Sequence, residues 1–383
     1  MKSIANIYII LSFFVYIISC SIIYMIVKDM LNMRFNKKVD KLENTFGKEV
    51  LRQLNNVKSN KELSKIDIKY IKENLNKRPY VKVFNNHIFK FNENEKNHKF
   101  TKIYMLNFED VILGHIKKCK RKDDTIKSYC AVLLGEYKLN NFEVNNFLFN
   151  CINTKSIYLR VSSLKAISKI GNLNNFIEAL VYISDEDKYI NNKILIDILG
   201  QFGGNKSLLN RQLINKFSLF NENIKKTIVE HFKNDKIVLV KDNMLDILKN
   251  ESSDKEVRIS VIKYFSIVKC ESAKNEVIEI LKKYDWEYRA ICASALGNYK
   301  DEESIDALLI SIGDKNWHVR YNSAISLLRF EEDYIIDRVL KKNDKYSRDI
   351  LFYAMFMKNK IPYEECLEMS RKIEEDTDVK VSY

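Results

Sequence analysis

Asp254-Lys255-Glu256-Val257-Arg258, Asp285-Trp286-Glu287-Tyr288-Arg289 and Asn316-Trp317-His318-Val319-Arg320 are three versions of one phrase. Four and seven residues after each arginine stand apolar pairs: Ile262/Phe265, Ala293/Leu296 and Ala324/Leu327. Spacing of i, i+4 and i+7 places them on one face of an α-helix. The same anchor can be followed outward to Lys127, Arg160, Asn192, Lys225 and Arg348, with intervals of 33, 32, 33, 33, 31, 31 and 28 residues along the series. Most anchors are followed by a second apolar helix, as at 176–181, 277–281, 305–312 and 334–340. A lone helix pair cannot bury its apolar face, so the units must stack. The expected fold is all-α, an α-solenoid of about seven to eight helix pairs over 124–360.

The second phrase continues as Cys292-Ala293-Ser294-Ala295-Leu296-Gly297. With its companions it resembles HEAT repeats, specifically the short bacterial type also found in phycobilin lyases, whose pattern is Asp-x-x-Val-Arg-x-x-Ala-x-x-Ala-Leu-Gly. The resemblance is fullest over 254–330 and extends through 155–253, where Asn192 and Lys225 depart from the arginine. It thins at 124–154 and 344–360. It implies a stacked-helix fold, and it raises the alternative of a bilin lyase-like, chromophore-handling enzyme. Activity does not travel with a fold, and those enzymes are generally soluble.

A residue repeated once per unit serves a task repeated once per unit. Arg160, Arg258, Arg289 and Arg320 are therefore expected to bridge neighbouring repeats through carboxylates or helix ends, a role suited to the planar guanidinium fork. Trp286 and Trp317, at equivalent positions, read as packing residues.

Residues 4–27 contain no formal charge, and fourteen of them are Ile, Leu, Phe or Val. As a helix the segment is about 36 Å long against a hydrocarbon core of about 30 Å. A single transmembrane helix is the expectation. The run exceeds the apolar core of about 7–15 residues in a cleaved signal peptide. Ile17-Ile18-Ser19-Cys20 loosely fits a lipoprotein box, but the apolar run continues past Cys20.

Residues 28–130 hold 25 Lys/Arg and 13 Asp/Glu, whereas 131–383 balance at 38 and 38. Almost all of the net +13 therefore lies just after the apolar run. By the positive-inside rule this side is cytoplasmic. The seven cysteines show neither paired nor metal-ligand spacing, as suits a reducing compartment.

Residues 28–75 read as a helical juxtamembrane stalk, with an apolar stripe of Val39, Leu42, Phe46, Val50, Leu51 and Leu54. Over 76–123 the expectation is a basic loop and a connecting helix, because Arg78-Pro79 and the asparagine-rich 85–97 interrupt the periodicity. An acidic helix or tail is expected over 361–383. Lys117, Lys118, Lys120, Arg121 and Lys122 could meet anionic lipid headgroups. Nucleic acid is the weaker reading, since aromatic residues are not interleaved with these cations and the repeats are electrically neutral.

No His-Glu-x-x-His, Cys-x-x-Cys, phosphate-loop or Gly-x-Ser-x-Gly motif occurs, and the five histidines are scattered. No catalytic residue, cofactor or metal is expected. The sequence reads as a membrane-anchored, non-enzymatic scaffold whose solenoid binds a membrane-associated protein partner, in the manner of HEAT proteins of envelope polysaccharide synthesis. The alternatives are the bilin lyase-like enzyme and a nucleic-acid-binding solenoid. The partner surface is expected on the second helices, at Asn275, Glu279, Lys282, Glu302, Asp306, Ser311, Asp333 and Asp337, taken as the inner layer of the stack.

Overall fold

The computed structural model describes residues 2–366 and 368 except 187 and 343, with side-chain detail from Leu11 onward. The expected acidic tail therefore lies almost wholly outside the described residues. Among those described, the chain is built of α-helices and contains no strand. It divides into two units, one of residues 1–179 with 202–204, the other of 180–201 with 205–383.

The first unit holds α1 (Lys2–Leu42), α2 (Lys48–Lys58), α3 (Lys65–Asn74), α4 (Arg78–Asn92), α5 (His98–Leu106), α6 (Glu109–Cys119), α7 (Asp124–Tyr137), α8 (Phe142–Ile152) and α9 (Ile157–Ile170). The 41 residues of α1 make a rod about 61 Å long, long and apolar enough to cross a membrane. Its described residues through Met33 are exposed. A π-helical turn, Glu43–Gly47, then joins α1 to α2 without leaving the helical backbone. It seats Phe46 in the core and brings Glu43 to 2.7 Å from His87. A Cβ at Gly47 would lie 2.5 Å from the imidazole Nε2 and would force His87 to shift.

The stripe expected on the helical segment 28–75 packs inside this unit: Val39, Phe46, Val50 and Leu54 are buried where α1, the π-turn and α2 meet α4 and α5. One expectation is corrected: 76–100 is not a loop. Pro79 lies in the first turn of α4, where its missing N–H costs nothing and its fixed φ suits the helix. Two of the asparagines that obscured the periodicity, Asn85 and Asn92, are core residues of α4 beside Phe84, Ile88 and Phe91. Asn85 accepts a 2.6 Å hydrogen bond from the Tyr137 hydroxyl, and Asn92 donates to the Glu136 carbonyl at 2.7 Å while accepting from Thr101 at 2.6 Å. Among the described residues the Asn85 Nδ2 is left without a partner, but the other polar atoms of these two amides are bonded, and both side chains belong to the core though they read as polar in a hydropathy pattern.

The second unit contains α11 (Asn192–Gly200), α12 (Lys206–Asn215), α13 (Glu222–Asn234), α14 (Lys241–Lys249), α15 (Lys255–Phe265), α16 (Glu271–Lys283), α17 (Trp286–Leu296), α18 (Glu302–Ser311), α19 (Trp317–Leu327), α20 (Glu332–Lys341) and α21 (Lys345–Met357). The intervening α10 (Leu173–Asp185) runs across the division of the chain. Caps set the register: Asp254 accepts from the backbone N–H groups of Glu256 and Val257, and Asn316 from that of His318. In each clear repeat the anchor arginine lies four residues after the cap. By that measure the anchor expected at Asn192 is misplaced, since Asn191 is the cap and Leu195, buried, holds the anchor position. Leu199 and Phe202 then supply the buried i+4 and i+7 positions. An apolar side chain at the anchor position made this repeat unreadable by its arginine.

Within this unit the anchor-bearing helices stack directly on one another, α13 on α15, α17 on α19 and α19 on α21. Direct contact among the second helices α14, α16, α18 and α20 is sparser. The arginine-bearing helices thus form the more tightly stacked layer of this unit.

Candidate functional site

The repeated arginines hold helix ends. Arg258 is buried and donates from Nε and Nη2 to the Leu248 carbonyl at 3.1 and 2.9 Å, with its guanidinium 5.0 Å from the Tyr284 ring centre. Arg289 donates from Nη1 to the Tyr284 carbonyl at 2.6 Å and grips Asp314 bidentately at 2.7 and 2.9 Å. Arg320 reaches the Asp314 carbonyl at 2.8 Å, and Arg160 the Thr154 carbonyl at 2.9 Å. In each case the fork bonds a carbonyl at or just past the C-terminus of the preceding helix, where the chain leaves acceptors unpaired and the dipole favours a cation. Burial raises the Asp314 carboxyl, but hydrogen bonds from Arg289 and the Asn316 backbone outweigh it and hold the group below the usual aspartate range.

The second-helix face is exposed at Asn275, Glu279, Lys282, Glu302, Asp306, Asp333 and Asp337, and buried at Ser311. Ser311 pairs with the Ser323 hydroxyl at 2.7 Å between α18 and α19, so it is a packing residue and not a surface one. Most of the exposed charges already have partners. Glu279 meets Lys282 at 2.8 Å and Lys283 at 3.1 Å, Asp337 meets Lys341 at 2.6 Å, and Arg338 joins Glu302 at 3.3 Å to Asp306 at 2.6 Å. Such a face is solvated and locally neutralised.

The arginine layer carries what the sequence reading missed. Trp286, Trp317 and Tyr353 are 41%, 44% and 38% exposed, and with His318 and Tyr321 they form a continuous ladder across α17, α19 and α21. Trp286 stacks on His318 at 5.2 Å, His318 meets Trp317 edge-on at 5.2 Å, and Trp317 stacks on Tyr321 at 4.9 Å. Tyr353 closes the set, 6.0 Å from Tyr321 and 6.3 Å from Trp317. Beside it Arg320 lies over the Tyr346 ring at 5.6 Å. The two tryptophans pack, as expected, but on one another's neighbours at the surface. Their common position just after the helix caps was the legible signal.

Lys117, Lys118, Lys120, Arg121 and Lys122 are exposed at the end of α6 and just beyond it. Cys119, among them, lies beside Cys130. The buried Cys130 thiol hydrogen-bonds to Cys119 and draws that group down to about 7, while Cys130 itself is pushed up. Of the histidines, His231 is buried, 3.1 Å from Asn210, and burial lowers its pKa. Among the described residues no group of three or more His, Cys, Asp or Glu is placed to hold a metal ion.

Comparison with known proteins agrees on the repeat and goes little further. HEAT repeats are matched over 241–329 and 274–349, less than half of the chain. Human deoxyhypusine hydroxylase, solved in complex with glycerol, is similar at 13% identity over 77% of this chain and 96% of that one, with a TM-score of 0.27. No curated protein matches the sequence.

Proposed function

We propose that this protein is a membrane-tethered scaffold: α1 crosses the bilayer once, the repeats lie in the cytoplasm, and the repeats bind a membrane-associated protein without transforming it. The single observation that carries partner binding is the exposed ladder of Trp286, His318, Trp317, Tyr321 and Tyr353 on the arginine layer. Trp, Tyr and Arg are the side chains that dominate binding hot spots, because they offer large rigid area at small entropic cost. Rings exposed this far gain further burial only from a partner. The apolar surface of α1 and the basic surplus that follows it support the tether and its orientation. Within this reading, envelope polysaccharide synthesis is the proposed setting.

The test is in-membrane crosslinking from a photoreactive residue at Tyr353 in the full chain, compared between the native sequence and W286A/W317A. A defined crosslinked species that disappears in the double variant, and persists when Glu279, Asp306 and Asp337 are all changed to Lys, supports the ladder. The opposite pattern moves the site to the second-helix face. A C-terminal reporter active only outside the cytoplasm would overturn the topology.

A further inference from the structure

A cleft of about 520 Å³ lies in the first unit among α1, α4, α6 and α7. This is within the range of about 300–1,000 Å³ typical of small-molecule sites. Its walls are apolar: Phe35 from α1, Leu75 and Val81, and Ile126, Tyr129 and Leu133 from α7. Three cations, Arg78, Lys82 and Lys118, also line it, and among the described residues no carboxylate does. Nor, among those residues, does any of the three have a carboxylate within 4.0 Å. Neighbouring cations in the same unit are neutralised, Lys72 by Asp110 at 2.9 Å and Arg52 by Asp67 at 2.8 Å. The start of α4 stands at the same edge, with no side chain capping it. Exposed Lys117, Lys120, Arg121 and Lys122 extend the positive field around Lys118.

Position supplies the remaining constraint. Phe35 follows Val27 by eight residues, about 12 Å of helix. Exposed Met30, Leu31 and Met33 carry the apolar surface of α1 almost to Phe35. If α1 crosses a membrane, the cleft mouth therefore lies within about 12 Å of the hydrocarbon core, against the aqueous side of a headgroup layer about 5–7 Å deep. A free phosphate would satisfy the cations and leave the apolar walls wet. A neutral lipid would do the reverse. An anionic phospholipid satisfies both, with its phosphate among Arg78, Lys82 and Lys118 and its first methylenes against Phe35, Val81 and Tyr129.

We propose that this cleft is a binding site for one anionic phospholipid drawn from the adjoining leaflet, held by Arg78, Lys82 and Lys118 and by the apolar walls beneath them. The inference rests on the membrane-tether reading, and its test is made where the two can fail separately. Full-length protein in non-ionic detergent is titrated with dioctanoyl phosphatidylglycerol, dioctanoyl phosphatidylcholine, glycerol phosphate, inorganic phosphate or oligo-dT, and thermal stabilisation is read. Stabilisation by phosphatidylglycerol alone is expected. R78Q/K82Q/K118Q should bind it at least tenfold more weakly with unchanged melting in its absence, because all three side chains are exposed. Tyr129→Ala, which alters no charge, should weaken it severalfold. Equal stabilisation by phosphatidylcholine, by either phosphate or by oligo-dT, or undiminished binding by the triple variant, would overturn the proposal. Insertion of α1, read separately by resistance to alkaline extraction, is independent of this detergent assay.

Discussion

The two faces of repeats 254–357 come from the same repeating unit and have been put to different uses. On the second helices, exposed carboxylates face lysines and arginines one turn or one repeat away, as in Glu279–Lys282 and the Glu302–Arg338–Asp306 bridge. On the arginine helices the cations point to helix ends, and the exposed positions beside them hold stacked rings. Charge on a solvated face is satisfied by neighbours and water and is worth little to stability or to binding. Exposed aromatic area remains unsatisfied. The difference is that charge on one face is paired with its neighbours, whereas aromatic area on the other is left open to solvent.

The largest expected effect tests whether the arginine layer is structural beneath its rings. Arg289→Ala removes both bonds to Asp314 and the one to the Tyr284 carbonyl, and should destabilise the second unit by about 2–3 kcal/mol, measured by denaturant unfolding. Arg320→Ala should cost less, about 1–2 kcal/mol, because it serves backbone carbonyls from a more exposed position. An equal loss at both sites would break the distinction.

Next comes the ladder. Trp317→Ala, which removes contacts to His318, Tyr321 and Tyr353, should weaken partner association by about 2 kcal/mol, or roughly 30-fold. Quantified crosslinking yield against partner concentration reads this directly. Full affinity in the variant would reduce the ladder to surface packing.

A pH series sharpens the structural half of the comparison. Asp314 titrates below its unfolded value in the folded chain, so its contribution is present above about pH 4 and is lost as pH falls through the lower folded value. The stability gap between the native chain and Asp314→Asn, about 1–2 kcal/mol at neutral pH, should therefore narrow towards pH 3. A gap that stays constant would show that the carboxylate charge is not what Arg289 uses.

The smallest effect is expected on the second-helix face. Changing Glu279, Asp306 and Asp337 to Lys should leave melting and partner capture unchanged, since their present ion pairs are exposed and screened. Loss of capture with intact melting would restore that face as the partner surface.

The sequence determined by itself whatever depends on local periodicity and composition. The all-α repeat, its anchor arginines, the apolar length of α1 and the basic segment after it were all legible, because helix faces and membrane spans are written at fixed spacing. Reading failed where a core position held an atypical residue. Asn85 and Asn92 looked like loop because their amides find buried partners on Tyr137, Thr101 and Glu136, tens of residues away for two of the three. Leu195 hid an anchor because the expected cation was absent and only the Asn191 cap identified the position. Tertiary structure alone decided which helices stack directly on one another, which surface charges neutralise one another and that Phe35, Arg78, Lys118 and Tyr129 line one cleft. The physical reason is range: helix pattern is set within a few residues, whereas pairing, exposure and enclosure depend on which distant helix packs alongside.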